Sequence, residues 1–296
     1  ALETQKQAPA EARPLQAEPA PAPDPAAVAG RAEQDVVVET PLYRAVWTNK
    51  GGVLKSWKLK AHENSQKEDL ELVPALAAEI GRYPFSLGLD DPALASLVNT
   101  ALFECSQTAL DLPEGTAGEL RFVFSDGDSV RAEKTYRFRG GSYALDTDIR
   151  VWKSGQPVTP SVLWGPGIGN PSAAEMKLSF SASTGLAVYT GGKVFRMTER
   201  KYKPEQSAYN FVNWAAYEDN YFVALFVLPA QKGQAAFLKE MAGQEQAPAF
   251  FVYVTEPLTA FIGPKDAEAL KAFGHDAKRV INFGTFGSIA EILLVV

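Results

Sequence analysis

Residues 118–153 read GELRFVFSDGDSVRAEKTYRFRGGSYALDTDIRVWK. Leu120, Phe122 and Phe124 alternate with Arg121, Val123 and Ser125, which is the period of a strand with one buried face. Asp126-Gly127 follows, then a second β-rich run over residues 129–139. Gly140-Gly141-Ser142-Tyr143 makes another break before the alternating residues 144–153. An Asp-Gly pair between two such runs predicts a tight hairpin turn. Ser125-Asp126-Gly127-Asp128-Ser129 has too few acids, and too little of the twelve-residue pattern, for a calcium loop. The stretch predicts three consecutive antiparallel strands.

The same pattern extends in both directions. Upstream, residues 36–38, 43–48 and 53–60 are β-rich runs punctuated by Gly51-Gly52, with Trp47 and Trp57 expected in the core. Residues 62–69 predict a charged turn or loop and residues 70–90 mixed strand and loop. Residues 91–100 predict a helical turn, and residues 101–112 a further strand. Downstream, residues 186–189 and 193–202 flank Gly191-Gly192 as a hairpin. Its second arm carries Lys193, Arg196, Arg200, Lys201 and Lys203, read as a solvated face or a basic patch for anionic lipid headgroups. Residues 221–228 are apolar on both faces and predict a central strand. Glu218 and Asp219 beside it point to opposite faces, so they are expected as turn or ladder-edge residues rather than an acid–base pair. Residues 235–241 read as helix or loop and residues 250–255 as a last strand. The loop Trp164-Gly165-Pro166-Gly167-Ile168-Gly169-Asn170-Pro171 lacks the strand, helix and lysine of a phosphate cradle, and its two prolines remove amide donors, so it reads as structural.

The bulk numbers narrow the function. With 296 residues, 46% hydrophobic and 22% charged, the chain has ample material for a large core. A net charge of -6 argues against nucleic-acid binding, which needs a basic surface. One cysteine, Cys105, excludes an internal disulfide, and two histidines, His62 and His275, restrict zinc sites and histidine-based acid–base chemistry. No metal or cofactor is expected. No window approaches the roughly 20 apolar residues that span a bilayer, and the chain opens on Ala1, which fits a fragment of a longer protein.

The two ends differ from the middle. Residues 1–34 are half alanine and proline and read as a disordered linker. At the other end, residues 264–273 read as a short helix started by Pro264 and stopped by Gly274. Phe286, Ile289, Leu293 and Val296, with Ile292 beside them, then recur at helical spacing on one face of a second helix. The expected organisation is a linker over 1–34, a sandwich over 35–259 and a helical segment over 260–296.

These residues also carry a family resemblance. Phe261-Ile262-Gly263-Pro264-Lys265, Ile281-Asn282-Phe283-Gly284 and Phe286-Gly287-Ser288-Ile289-Ala290 resemble the end of the large periplasmic domain of the bacterial YidC insertases (YidC/Oxa/Alb family). Thr40-Pro41-Leu42-Tyr43, Trp47-Thr48-Asn49 and residues 56–60 resemble its start, and Trp214-Ala215-Ala216 with residues 219–229 a strand segment within it. Asn282 departs from the acidic residue usual before Phe-Gly in the family, which puts any charge contact there in doubt. The resemblance implies a mainly β, large antiparallel β-supersandwich (galactose mutarotase-like) with short C-terminal α-helices. It implies a non-catalytic domain on the periplasmic side of the bacterial inner membrane, with SecDF, SecYEG and nascent membrane proteins as partners. It also implies that a helix lying on the membrane surface follows the sandwich, which makes Phe283, Phe286, Ile289, Ile292 and Leu293 candidates for coupling to membrane; plain core packing is the simpler reading of the same residues. A carbohydrate-binding or mutarotase-like domain is the alternative, and it requires a histidine and a carboxylate across one cleft.

Overall fold

The computed structural model describes residues 26–169 and 184–282. Within them, strands form three sheets. The first has the order β4 (Asp69–Glu71), β3 (Val53–Glu63), β2 (Tyr43–Thr48), β1 (Asp35–Glu39), β7 (Ala109–Asp111). The second and largest runs β14 (Lys193–Thr198), β13 (Gly185–Thr190), β16 (Trp214–Glu218), β17 (Phe222–Val227), β20 (Thr259–Pro264), β10 (Ala144–Lys153), β9 (Val130–Arg139), β8 (Ala117–Ser125), β6 (Glu104–Cys105), with β11 (Gln156–Val158) beside β10. The third has the order β15 (Ala208–Asn210), β18 (Gln234–Ala242), β19 (Ala247–Thr255), β12 (Ser161–Trp164), β5 (Leu87–Gly88). β1 and β7 pair in parallel, whereas the long neighbours of the central sheet all pair antiparallel.

The three strands that open the sequence argument fall where alternation places them. Leu120, Phe122 and Phe124 are buried, and Leu120 pairs with Tyr136 and Phe124 with Ala132 across β8 and β9. The turn between them is tied by Asp126, whose Oδ1 accepts from the amides of Asp128, Ser129 and Val130 at 2.9 Å each. Residues 221–228 likewise supply β17, buried at nearly every position between β16 and β20.

Aromatic rings join the layers. Trp47 of β2 stands 4.1 Å between centroids from Tyr136 of β9 and 5.1 Å from Phe85, so the first sheet packs on the central one. Trp164 of β12 meets Phe226 of β17 at 6.3 Å, and Phe237 of β18 meets Tyr217 of β16 at 5.8 Å, which seats the third sheet on the same face. Trp47, Trp57, Trp164 and Trp214 are all fully buried. Each such ring removes on the order of 200 Å² from water, about 5 kcal/mol of gross stabilisation before ordering entropy is subtracted. Lys134 of β9 also lies wholly inside, its Nζ donating to the carbonyls of Gly51 at 2.7 Å and Phe85 at 2.8 Å. The loop after β12 is structural over its described part: Gly167 N donates to Phe250 O, Gly169 N to Leu72 O, and Trp164 Nε1 to Gly167 O.

Several elements differ from expectation. Residues 235–241 belong to strand β18, because Ala235 and Phe237 alternate into the core while β19 pairs along residues 235–242 and β15 pairs with the first three residues of the strand. Residues 75–80 form helix α1 (Ala75–Ile80), closed by Gly81 in the left-handed conformation at φ 64. Leu76 and Ile80 on it cover Leu163, Ala249 and Phe251 on the outer face of the third sheet. The helical turn over 91–100 is a full helix, α2 (Pro92–Thr100), capped by Asp91 through the amides of Ala93 and Leu94. Residues 101–112 split into β6 and β7 in different sheets. His62 is in β3, which runs on past a bulge to pair with β4, rather than in a turn. The expected boundary at 259/260 cuts through β20, a central strand, and the helix expected from Pro264 is α3 (Ala267–Phe273), capped by Asp266 through Ala269 N.

At the other boundary, residues 26–34 are bonded along the body. Val28 forms an antiparallel bridge with Ser125, and Asn49 accepts from Gln34 N while donating to Ala32 O and Phe103 O. The folded body therefore begins upstream of Asp35.

Candidate functional site at the C-terminal junction

The route by which the chain leaves the sandwich is built from β20 outward. β20 ends at Pro264, which pairs with Phe222, and Lys265 follows with its amide on Tyr221 O. Helix α3 then turns back over the sheet. Leu270 is buried, Phe273 packs on Phe261 with ring centroids 5.4 Å apart, and Gly274 caps the helix at φ 79. Residues Ala277–Val280 form a 3-10 turn whose Ala277 and Val280 are buried.

An ion cluster pins this return. Glu218, the last residue of β16, has Oε1 2.9 Å from Arg196 Nε and Oε2 2.6 Å from Lys265 Nζ. Side-chain exposure is 5% for Glu218, 9% for Lys265 and 23% for Arg196, so these charges are shielded from solvent and depend on one another. Arg196 Nη2 also donates to Val280 O at 2.8 Å and Arg279 O at 3.2 Å, while Lys265 Nζ donates to Asp219 O. One carboxylate thus links an edge strand, a central strand and the outgoing chain. Asp219 lies beside it, its Oδ1 accepting from the amides of Tyr221 and Phe222; burial raises its carboxyl above the usual range. Tyr189 OH donates to Asp276 Oδ2 at 3.2 Å, and Arg279 stacks 5.4 Å over the Tyr189 ring.

Behind the cluster, Tyr217 OH donates to Glu199, and burial pushes the Glu199 carboxyl up as well. The described histidines do not converge on these groups. His62 packs edge-on against Phe222 and His275 tilts against Phe273, and among the described residues neither is hydrogen-bonded to a carboxylate. Among the described residues no group of three or more His, Cys, Asp and Glu side chains is arranged for a metal ion. The arrangement can hold a chain segment at fixed register against the sheet edge.

Glu218 closes the β16 ladder and Asp219 ties the turn after it, as strand alternation predicts, but Arg196 is not merely on a solvated face, since it pairs with Glu218. An acid beside a run buried on both sides needs a cationic partner, and that requirement is the signal in the sequence that could have found the cluster. Phe283, Phe286, Ile289, Ile292 and Leu293 lie outside the described residues, beginning immediately after Asn282.

The fold defines a large antiparallel β-sandwich domain whose C-terminal segment is held against the central sheet. The chain belongs to the YidC periplasmic domain family, whose profile matches residues 35–296. It is 31% identical over 277 residues to the membrane protein insertase YidC of Syntrophus aciditrophicus (strain SB), covering 86% of this chain and 48% of that protein. The chain therefore spans about half the length of that curated relative. Among solved structures it is similar to one described as an aldose 1-epimerase from Escherichia coli K12, with a TM-score of 0.45, 8% identity and coverage of 79% of this chain and 98% of that chain. It is also similar to YidC from Thermotoga maritima, with a TM-score of 0.37, 13% identity and coverage of 91% and 57%. Among the described residues no helix is long and apolar enough to cross a membrane.

Proposed function

We propose that this chain is the periplasmic module of a bacterial inner-membrane protein insertase and that it has no chemistry of its own. Its role is to present contact surfaces to components of the Sec machinery, SecDF and SecYEG, and to nascent membrane proteins, while residues 283–296 couple it to the membrane surface. An insertase lowers the cost of placing polar groups in hydrocarbon, and a domain outside the bilayer serves that task by positioning rather than by catalysis. The observation that carries this reading is the family match over residues 35–296, which runs through the pinned junction and into the apolar C-terminal segment.

The test is site-specific photocrosslinking of the full-length insertase in inner-membrane vesicles, with probes on the outer faces of the sheets and with SecDF and a nascent substrate present. Adducts to either partner from one contiguous face are expected. Uniform absence of adducts, or a measurable rate of galactose anomerisation lost in His62→Ala or His275→Ala, would overturn the reading.

A further inference from the structure

The edge of the sandwich formed by β14, the segment after it and β15 differs from the rest of the surface. Among the described residues most cations have a carboxylate partner, as in Arg44–Glu39, Lys55–Asp35, Arg82–Glu240, Arg121–Glu133, Arg137–Glu119 and Lys153–Asp91. Lys193, Arg200, Lys201 and Lys203 have none among the described residues, and all four are exposed. Glu205 is the exposed acid among them, since Glu199 is turned inward to Tyr217. The patch is a local reversal of the net charge.

Two exposed aromatic residues flank these cations. Phe195 is 46% exposed on the edge strand β14, its ring 6.4 Å from Tyr209 of β15. Phe211 is 70% exposed and adopts φ 55, a conformation bulky residues avoid, with its carbonyl held by Thr190 Oγ1. An exposed phenylalanine costs solubility, and one presented from a left-handed backbone costs stability as well. Cations together with outward phenylalanines are the composition of surfaces that settle into the headgroup layer. The position agrees: Arg196, within the same strand, holds Arg279 O and Val280 O, so the chain leaves at Asn282 beside this edge and continues into Phe283, Phe286 and Ile289.

We propose that this edge, through Lys193, Phe195, Arg200, Lys201, Lys203 and Phe211, docks on an anionic phospholipid bilayer. The inference rests on the insertase-module reading, in that the bilayer is the surface such a module adjoins. Docking there brings the junction down to the headgroups and orients the sandwich relative to the membrane at a second point, separate from residues 283–296.

The test is co-sedimentation of the whole chain with vesicles of mixed phosphatidylglycerol and phosphatidylcholine, against pure phosphatidylcholine. The variant K193Q/R200Q/K201Q/K203Q touches only exposed side chains, and its thermal unfolding checks that the fold is kept. Each cation near an anionic surface is worth about five-fold in binding, so the quadruple variant is expected to bind mixed vesicles about 600-fold more weakly. F195S/F211S is expected to weaken binding with less dependence on ionic strength. Equal binding by the parent and the quadruple variant would assign membrane affinity to residues 283–296 alone and overturn the proposal, as would equal binding to neutral vesicles. If the quadruple variant kept its lipid affinity but lost crosslinks to a Sec component in the full-length insertase, the edge would be a protein-docking face and the lipid proposal would fail. Vesicle binding needs no partner protein, so its failure leaves the insertase-module reading to the crosslinking test.

Discussion

Arg196 and Glu218 face each other across β13, with Nε 2.9 Å from Oε1, and the same guanidinium reaches on to the carbonyl of Val280. This pair converts the edge of the central sheet into an anchor for the departing chain. Replacing Glu218 by Gln leaves Arg196 and Lys265 shielded without a counter-charge. Breaking one partner of such a cluster costs about 3–5 kcal/mol. Urea unfolding of Glu218→Gln is expected to show that loss, together with faster amide exchange over residues 265–282. Unchanged exchange there would mean the cluster does not hold the junction.

Lys134 gives a pH dependence. Burial lowers its ammonium from 10.5 to about 7 in the folded chain. Between those two values the unfolded chain binds the proton and the folded chain does not, so stability rises with pH across that window. The gain is fully present above the unfolded value and is lost as pH falls through about 7. Relative to Lys134→Met, which has no such group, the parent is expected to gain up to about 1.4 kcal/mol per pH unit from pH 7 upward. Parallel stability curves from denaturant melts would show that the buried amine keeps its ordinary proton affinity.

The Asn49 side chain latches the N-terminal strap through two hydrogen bonds, accepting from Gln34 N and donating to Ala32 O, and is itself fixed to the body by a third to Phe103 O. Asn49→Ala removes the donor to the carbonyl of the buried Phe103 and is expected to cost about 1–3 kcal/mol. Limited proteolysis within residues 26–34 should accelerate in the same variant. Equal cleavage rates would show that the strap is held by other contacts.

Trp47 fills the space between the first and central sheets against Tyr136 and Phe85. Trp47→Ala is expected to destabilise by about 3–5 kcal/mol, the range for emptying a large aromatic site in a core that relaxes only partly. A thermal shift of less than a few degrees would place the layer contact elsewhere.

Much of this fold is legible in local pattern. The alternation Leu120, Phe122, Phe124 and the turn at Asp126-Gly127 specify β8 and β9 without reference to anything distant. β18 was not legible, because Gln234 to Ala242 is rich in good helix formers and becomes a strand only when β15 and β19 pair with it. Pro264 suggested a helix start, yet it closes the edge of β20, where its missing amide is tolerated at a strand end. The candidate site was hidden for a related reason. Arg196, Glu218 and Lys265 are far apart in the chain, and only the β13–β16–β17–β20 order brings them to one carboxylate.

The most direct measurement places a photoreactive side chain at Phe286, Ile289 or Leu293 of the full-length insertase in inner-membrane vesicles. Adducts to phospholipid or to the protein's own membrane segments are expected if this sandwich is a module coupled to the bilayer through its C-terminal junction. Adducts confined to the sandwich core, with none to lipid or membrane segments, would contradict that claim.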